Sequence, residues 1–173
     1  DFTYNTGQTG INLQSKLALK QAASLLYGLE YRLDNGESSN IGQQNINNYA
    51  LYLSLQNVFG PLSYDLGLRQ DVHSKAGASL CPRFGLVYRP LNEVKVFANA
   101  ASAFRAPALN ELFWNDPVWN MFGNQNLKPE RAIEFELGLS KSFVNSSFID
   151  FILFSRQVND QILWEFDANT FVT

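Results

Sequence analysis

One cysteine, one histidine and one methionine occur in 173 residues. With Cys81 alone, no internal disulfide can form, and a Cys/Cys or Cys/His zinc site cannot be assembled. With His73 alone, few catalytic constellations remain. Asp71, His73 and Ser74 lie close in sequence, but neighbours along a strand point to opposite faces, so His73 and Ser74 are poorly placed to pair. Glu134 and Glu136 share a face, which is ordinary on a polar wall. No enzymatic activity, metal or cofactor is therefore expected. No run approaches 18 consecutive apolar residues, which excludes a transmembrane helix. A basic excess is also missing: 13 Lys and Arg stand against 16 Asp and Glu, giving a net charge of -3. Nothing suggests a nucleic-acid partner. No signal peptide is visible, and the chain opens at Asp1 and closes at Val172-Thr173, so it reads as an internal segment of a longer protein.

What is present is a composition fit for an ordered chain, with 46% hydrophobic and 14% aromatic residues. Mean hydropathy is -0.16. Soluble proteins and transmembrane β-barrels share that average, because each barrel strand has one apolar and one polar face. Pattern must separate them. Ile11, Leu13, Leu17 and Leu19 alternate with Asn12, Gln14, Lys16 and Lys20. Leu25, Tyr27, Leu29, Tyr31 and Leu33 alternate with Ser24, Gly28, Glu30 and Arg32. The same period of two recurs at 49–56, 62–71, 83–89, 94–101 and 133–140, and less cleanly at 147–165. This predicts about eight strands of roughly ten to thirteen residues, longer than the five or six usual in soluble sheets and suited to a tilted membrane strand.

The connections alternate in length. Short ones are expected near 20–22, 59–61, 90–92 and 144–146, and long ones at 34–45, 73–79 and 105–130. Asn35-Gly36 supplies a turn signal in the first long one, and each proline is placed in or beside a connection or strand end. Phe59, Tyr64, Tyr88, Phe143 and Phe148 flank short turns, while Tyr31, Tyr49 and Phe104 approach long ones, as in the aromatic girdles of outer-membrane barrels. Lys16, Glu30, Arg32, Asp65, Arg69, Arg83, Arg89, Lys95, Glu134 and Glu136 all fall on the second face. A basic residue in lipid costs roughly 2–4 kcal/mol near the midplane, so the charged face must point inward and the Leu/Val/Tyr face outward. The fold expected is all-β: an antiparallel up-and-down transmembrane β-barrel segment.

Two blocks make the reading specific. Phe104-Arg105-Ala106-Pro107-Ala108-Leu109-Asn110-Glu111-Leu112 resembles the FRAP-x-L-x-EL segment of TonB-dependent outer-membrane receptors. Gly123-Asn124-Gln125-Asn126-Leu127-Lys128-Pro129-Glu130 is similar to that family's GN-x-x-LKPE, and Glu136-Leu137-Gly138-Leu139 to its E-x-G-L strand. Weaker similarities lie at Tyr27-Gly28-Leu29-Glu30-Tyr31, Gly67-Leu68-Arg69-Gln70-Asp71 and Asn159-Asp160-Gln161-Ile162. The resemblance runs from about Gly10 to Ile162. It implies that residues 1–173 are part of a barrel of about 22 strands, without the plug domain and the C-terminal strands.

The resemblance further implies energised import of a scarce nutrient (a ferric siderophore, haem, cobalamin or similar) across the outer membrane of a Gram-negative bacterium. The partners implied are outer-membrane lipid, the small nutrient and, through the absent plug, the TonB complex. Arg105, Glu111, Lys128 and Glu130 are expected to form a charged cluster at the extracellular rim. Phe104, Pro107, Asn124, Leu127 and Pro129 complete the rim blocks. Pro107 suits the first turn of a short helix carrying Leu109, Leu112 and Phe113. Trp114, Asn115, Trp119 and Phe122, with Asp116 and Met121 beside them, are candidates for ligand contact. Rival readings are a passive porin, which would lack both blocks, and a soluble or surface β-rich binding module.

Overall fold

The computed structural model describes residues 4–20, 22–144, 146–167 and 170–172. In chain order its elements are β1 (Tyr4–Ala18), β2 (Ser24–Ser38), β3 (Gly42–Phe59), β4 (Leu62–His73), β5 (Gly77–Leu91), β6 (Val94–Arg105), α1 (Leu109–Phe113), β7 (Asn115–Asp116), β8 (Met121–Phe122), β9 (Glu130–Ser142), β10 (Phe148–Asn159), β11 (Glu165–Asp167) and β12 (Thr170–Val172). Eight strands make one sheet in the order β1-β2-β3-β4-β5-β6-β9-β10, each pair antiparallel. The sheet is open among the described residues, with β1 and β10 at its edges. Its strands run from 12 to 18 residues, long enough for a tilted crossing of a bilayer.

Register turns the alternation of each strand into two continuous faces. One row reads Leu17, Leu25, Leu55, Leu66, Phe84, Ala100, Phe135 and Ser155 across all eight strands. One residue along, the row reads Lys16, Leu26, Ser54, Gly67, Arg83, Ala101, Glu134 and Arg156. The apolar face is the exposed one. Leu51 and Leu53 are 58% and 47% exposed, whereas Asn48 and Ser54 on the other face of the same strand are 4% and 5% exposed. A soluble sheet does the reverse. On β9 the apolar face is bracketed by Arg131 and Lys141, and the Lys141 Nζ lies 5.4 Å from the Phe143 ring centroid. Ten residue steps at about 3.4 Å each, tilted by about 40°, give a band of about 25 Å, the height of the apolar belt of such barrels. Tyr31 and Tyr49 lie side by side on this face, ring centroids 5.0 Å apart, at the end that carries the long connection.

Several local expectations change. The segments 34–45 and 73–79 are strand over most of their length, joined by tight turns at 39–41 and 74–76. Asn35-Gly36 lies inside β2, because a Cβ at position 36 would collide with Leu109 and Ile41. Glycine there makes room for a packing partner and does not mark a turn. Pro82 lies within β5, paired with Leu68 of β4, and the β5–β6 pairing begins only at Arg83. A missing N–H is tolerated where the strand lacks a ladder on that side. Phe148 pairs with Ser142 on the polar face instead of standing in the outer girdle. The strand expected at 147–165 is β10, which ends at Asn159, and its polar face is interrupted by Ile152, Phe154 and Val158.

The buried core is small and sits at one end. Ile41, Ile46 and Leu112 are 4%, 3% and 2% exposed. They gather where the β2–β3 hairpin tip meets the chain between β6 and β9, so the apolar packing of this chain secures that connection.

Candidate functional site

From Arg105 the chain turns across the inner, polar face as a strap. Ala106, Pro107, Ala108 and Leu109 line a cavity of about 520 Å³ with Arg32, Asp34, Ile46 and His73 on the opposite wall. Leu109 packs over Gly36. Helix α1 starts because the Ala108 N–H donates to the Glu111 carboxylate at 2.7 Å, which satisfies one donor left open by the first turn. It stops as the Trp114 N–H donates to the Asn110 carbonyl at 3.1 Å. Pro107 precedes the cap residue Ala108 and therefore lies outside the first turn.

The two sequence blocks interlock. The Gly123 N–H donates to the Trp114 carbonyl at 2.7 Å and the Asn124 N–H to the Glu111 carbonyl at 2.8 Å. A Cβ on Gly123 would lie 2.8 Å from backbone atoms of Glu111, Leu112 and Trp114, so only glycine allows this approach. The Asn124 side chain accepts the Asn126 N–H at 2.9 Å and shapes the turn into Leu127, which is half-buried, and Pro129, which is buried.

Charge closes the connection. The Arg105 guanidinium donates to Glu130 at 2.8 and 2.9 Å and to both Glu111 oxygens at 3.0 Å. Glu130 also accepts the Ile162 N–H at 2.8 Å, which ties in the chain after β10. Arg105 first, then the Ile162 N–H, holds the Glu130 carboxyl down at about 2. Glu130 and Glu111 in turn raise Arg105 above its ordinary value. Three of the four residues expected in the cluster thus come together. Lys128 is exposed and has no ion pair among the described residues. Phe104 is half-buried and pairs with Arg131, on the outer face of β6.

The candidate ligand residues occupy the β7–β8 hairpin and its approach. Trp114 and Phe122 are half-buried, Asn115 is exposed, and Trp119 is 73% exposed at the tip beside Val118 at 85%. The tip is held in shape. Asp116 accepts the N–H groups of Val118 and Trp119 at 3.1 and 3.2 Å, and its other oxygen accepts from the Asn40 amide at 3.0 Å. The Asn115 N–H donates to the Asn40 carbonyl at 2.8 Å. β8 also pairs with β12, so the hairpin belongs to a four-stranded sheet of order β11-β12-β8-β7.

His73 and Ser74 do not pair. The His73 Nδ1 accepts the Ala76 and Lys75 N–H groups at 3.0 and 3.3 Å, and the Ser74 hydroxyl accepts the Asn47 N–H at 3.1 Å. Burial first, then the Arg32 charge, lowers the His73 imidazole below its ordinary value. Sequence reasoning missed Asn40, Ile162 and Arg32. Asn40 and Ile162 act through backbone groups or across 76 and 32 residues, and no local pattern carries such contacts.

With this geometry in hand, similarity to known proteins is specific. The profile of the family described as "TonB dependent receptor-like, beta-barrel" matches residues 1–173. The vitamin B12 transporter BtuB of Photobacterium profundum is 32% identical over 139 residues, covering 78% of this chain. The BtuB of Vibrio vulnificus is 26% identical over 148 residues, covering 83%. The chain spans 22% and 23% of the length of these two relatives. Among solved structures, the siderophore receptor PirA of Pseudomonas aeruginosa superposes with a TM-score of 0.78 at 22% identity, over 90% of this chain and 31% of that one. The Serratia marcescens hemophore receptor HasR gives 0.71 at 17% identity, over 91% and 33%. At these identities the solved structures show the fold, an antiparallel barrel wall. The full-length profile match shows that the chain belongs to the β-barrel domain of the TonB-dependent receptors, outer-membrane proteins of Gram-negative bacteria.

Proposed function

We propose that this chain is part of the wall and rim of a receptor that imports a scarce nutrient across the outer membrane, driven by the TonB complex. The observation that carries the reading is the inverted sheet, exposed apolar outside and charged inside, with the strap fastened across its inner face. A lipid-facing wall needs the first feature. A mouth that admits one solute and not others needs the second, because a rim held by the Arg105 cluster presents side chains in fixed positions. Trp114, Asn115, Trp119 and Phe122 stand on or beside a hairpin fixed to the β2–β3 tip, and we assign them contact with the nutrient. TonB would act through a plug domain supplied by the rest of the receptor. We read the chain as part of a transporter and not of an enzyme, a reading supported by relatives named as transporters and receptors. Those names support cobalamin, ferric siderophore and haem as the substrate classes to test.

The test is uptake by the complete receptor in cells lacking their own receptors for these nutrients. Labelled cobalamin, ferric siderophore and haem are supplied in turn, with and without TonB. TonB-dependent accumulation of one of them is expected. Accumulation that persists without TonB would make the protein a passive pore, and accumulation of none would refute the import reading.

A further inference from the structure

Beneath the strap lies a polar cavity of about 360 Å³, lined by Arg32, Asn48, Arg69, Asp71 and His73 from the wall, by Phe104 and Arg105 at the end of β6, and by Ala106 of the strap. Arg32 and His73 also line the neighbouring cavity on the far side of Ala106. The polar groups around this cavity differ in how far their hydrogen bonds are already made. Asp71 accepts from Arg69 twice, at 2.8 and 2.9 Å, and from the Asn48 amide at 3.1 Å. Arg69 is shared further with Glu30. Arg105 is taken up by Glu111 and Glu130.

Arg32 is different. Its Nε donates to Asp34 at 3.2 Å, and its two terminal nitrogens make no hydrogen bond among the described residues. His73 is 4% exposed. Because its Nδ1 accepts backbone N–H groups, the proton of the neutral ring sits on Nε2, which has no acceptor among the described residues. His73 lines the cavity, so this N–H is available to a guest that supplies an acceptor. Asn48, 4% exposed, leaves its Oδ1 without a partner, but that oxygen is an acceptor and does not add to anion binding.

We propose that Arg32 and His73 form an oxyanion-binding site under the strap, receiving a carboxylate or phosphate group. The planar end of a guanidinium presents two parallel donors to two oxygens of such a group, and the imidazole N–H adds a third. The ligand enters along Arg32, whose side chain is 38% exposed. Every charge facing the site bears on its strength. Asp34 lies on β2 with Arg32, Glu30 and Asp71 flank Arg69, and Glu111 and Glu130 flank Arg105. These five carboxylates are already hydrogen-bonded, but their field opposes an incoming anion. A free anion therefore binds weakly, and an anionic group borne by a larger nutrient gains from the contacts of the rest of that molecule.

The test uses the complete receptor in detergent, titrated with inorganic phosphate and with acetate at constant ionic strength, against chloride. Amide hydrogen exchange is read at 73–76 and 104–110. Saturable slowing is expected in these segments. Arg32→Gln should weaken it at least about tenfold, and Arg32→Lys should keep part of it, since charge is retained and the fork is lost. Asp34→Asn should strengthen it by about threefold or more, a gain that misfolding cannot mimic, because a competing carboxylate charge is removed. No saturable slowing in the parent protein, or equal slowing in Arg32→Gln, would overturn the site. A second arm rests on the import reading. If the anion rides on the nutrient, Arg32→Gln raises the concentration for half-maximal uptake. Unchanged uptake alongside lost phosphate protection identifies a free anion as the ligand. Failure of uptake in every variant and in the parent would refute the import reading while leaving the exchange result standing.

Discussion

Replacing Arg105 by Gln removes the centre of the cluster that joins β6, α1, β9 and the chain after β10. Four hydrogen bonds of 2.8 to 3.0 Å go with it. The Glu111 and Glu130 side chains, only 13% and 16% exposed, would then face each other without a counter-ion. Breaking a fully buried pair costs about 3–5 kcal/mol. The Arg105 side chain is 45% exposed, so solvent screening reduces the expected local cost to about 2 kcal/mol. A double-mutant cycle with Glu130→Gln isolates the pair. The single change Arg105→Gln strands a carboxylate, and Glu130→Gln in the same background removes it, so part of the loss should return. Local opening of 105–130 in the complete receptor, followed by amide exchange, reads the energy where it acts. A coupling of about 1–2 kcal/mol is expected. A coupling near zero, or destabilisation spread evenly over the barrel, would refute the idea that this pair fastens the strap.

Three further outcomes follow from the same geometry. Gly123→Ala should loosen 105–130 by about 2 kcal/mol, seen as faster proteolysis of that segment, while the far-ultraviolet spectrum of the barrel is unchanged, since the new Cβ would press on backbone that cannot yield. Leu53→Arg on the outer face should cost about 2–4 kcal/mol when the complete receptor folds into lipid vesicles, and Tyr52→Arg on the inner face far less. With its carboxyl lowered from 4.5 to about 2 in the folded state, Glu130 stabilises fully above 4.5, and that stabilisation is lost as pH falls from 4.5 toward 2. Pepsin should therefore open 105–130 increasingly over that window in the parent protein, and Glu130→Gln should lack this component.

Much of the wall was legible because a strand in this setting has only two environments. Alternation at Leu25 through Leu33 or Tyr49 through Leu55 names the faces directly, and the expense of Arg69 or Arg83 in lipid orients them. The pairing of the two blocks was legible as order along the chain, and Arg105 with Glu130 follows from the ladder once β6 and β9 are neighbours. What was not legible depends on contacts far apart in sequence. Asn35-Gly36 carries a turn signal that Leu109, more than seventy residues on, overrides by packing on the glycine. Pro82 sits mid-strand because its neighbour β6 pairs only from Arg83 onward, a fact about the adjacent strand. Lys128, two residues before Glu130, is exposed and has no ion pair among the described residues, and nothing in its own block sets it apart from Glu130. The position of the strap inside the wall, which brings Arg32 and His73 to one cavity, has no signature in the residues of either segment.

The central claim is that the apolar face looks into lipid and the charged face into the interior. Single cysteines placed in turn at Leu51, Tyr52, Leu53 and Ser54 of the complete receptor, in a Cys81→Ser background, test it in native outer-membrane vesicles. Spin labels at Leu51 and Leu53 should relax with a lipid-soluble reagent such as oxygen, and labels at Tyr52 and Ser54 should not. Reversed alternation, or none across the four positions, would contradict the account.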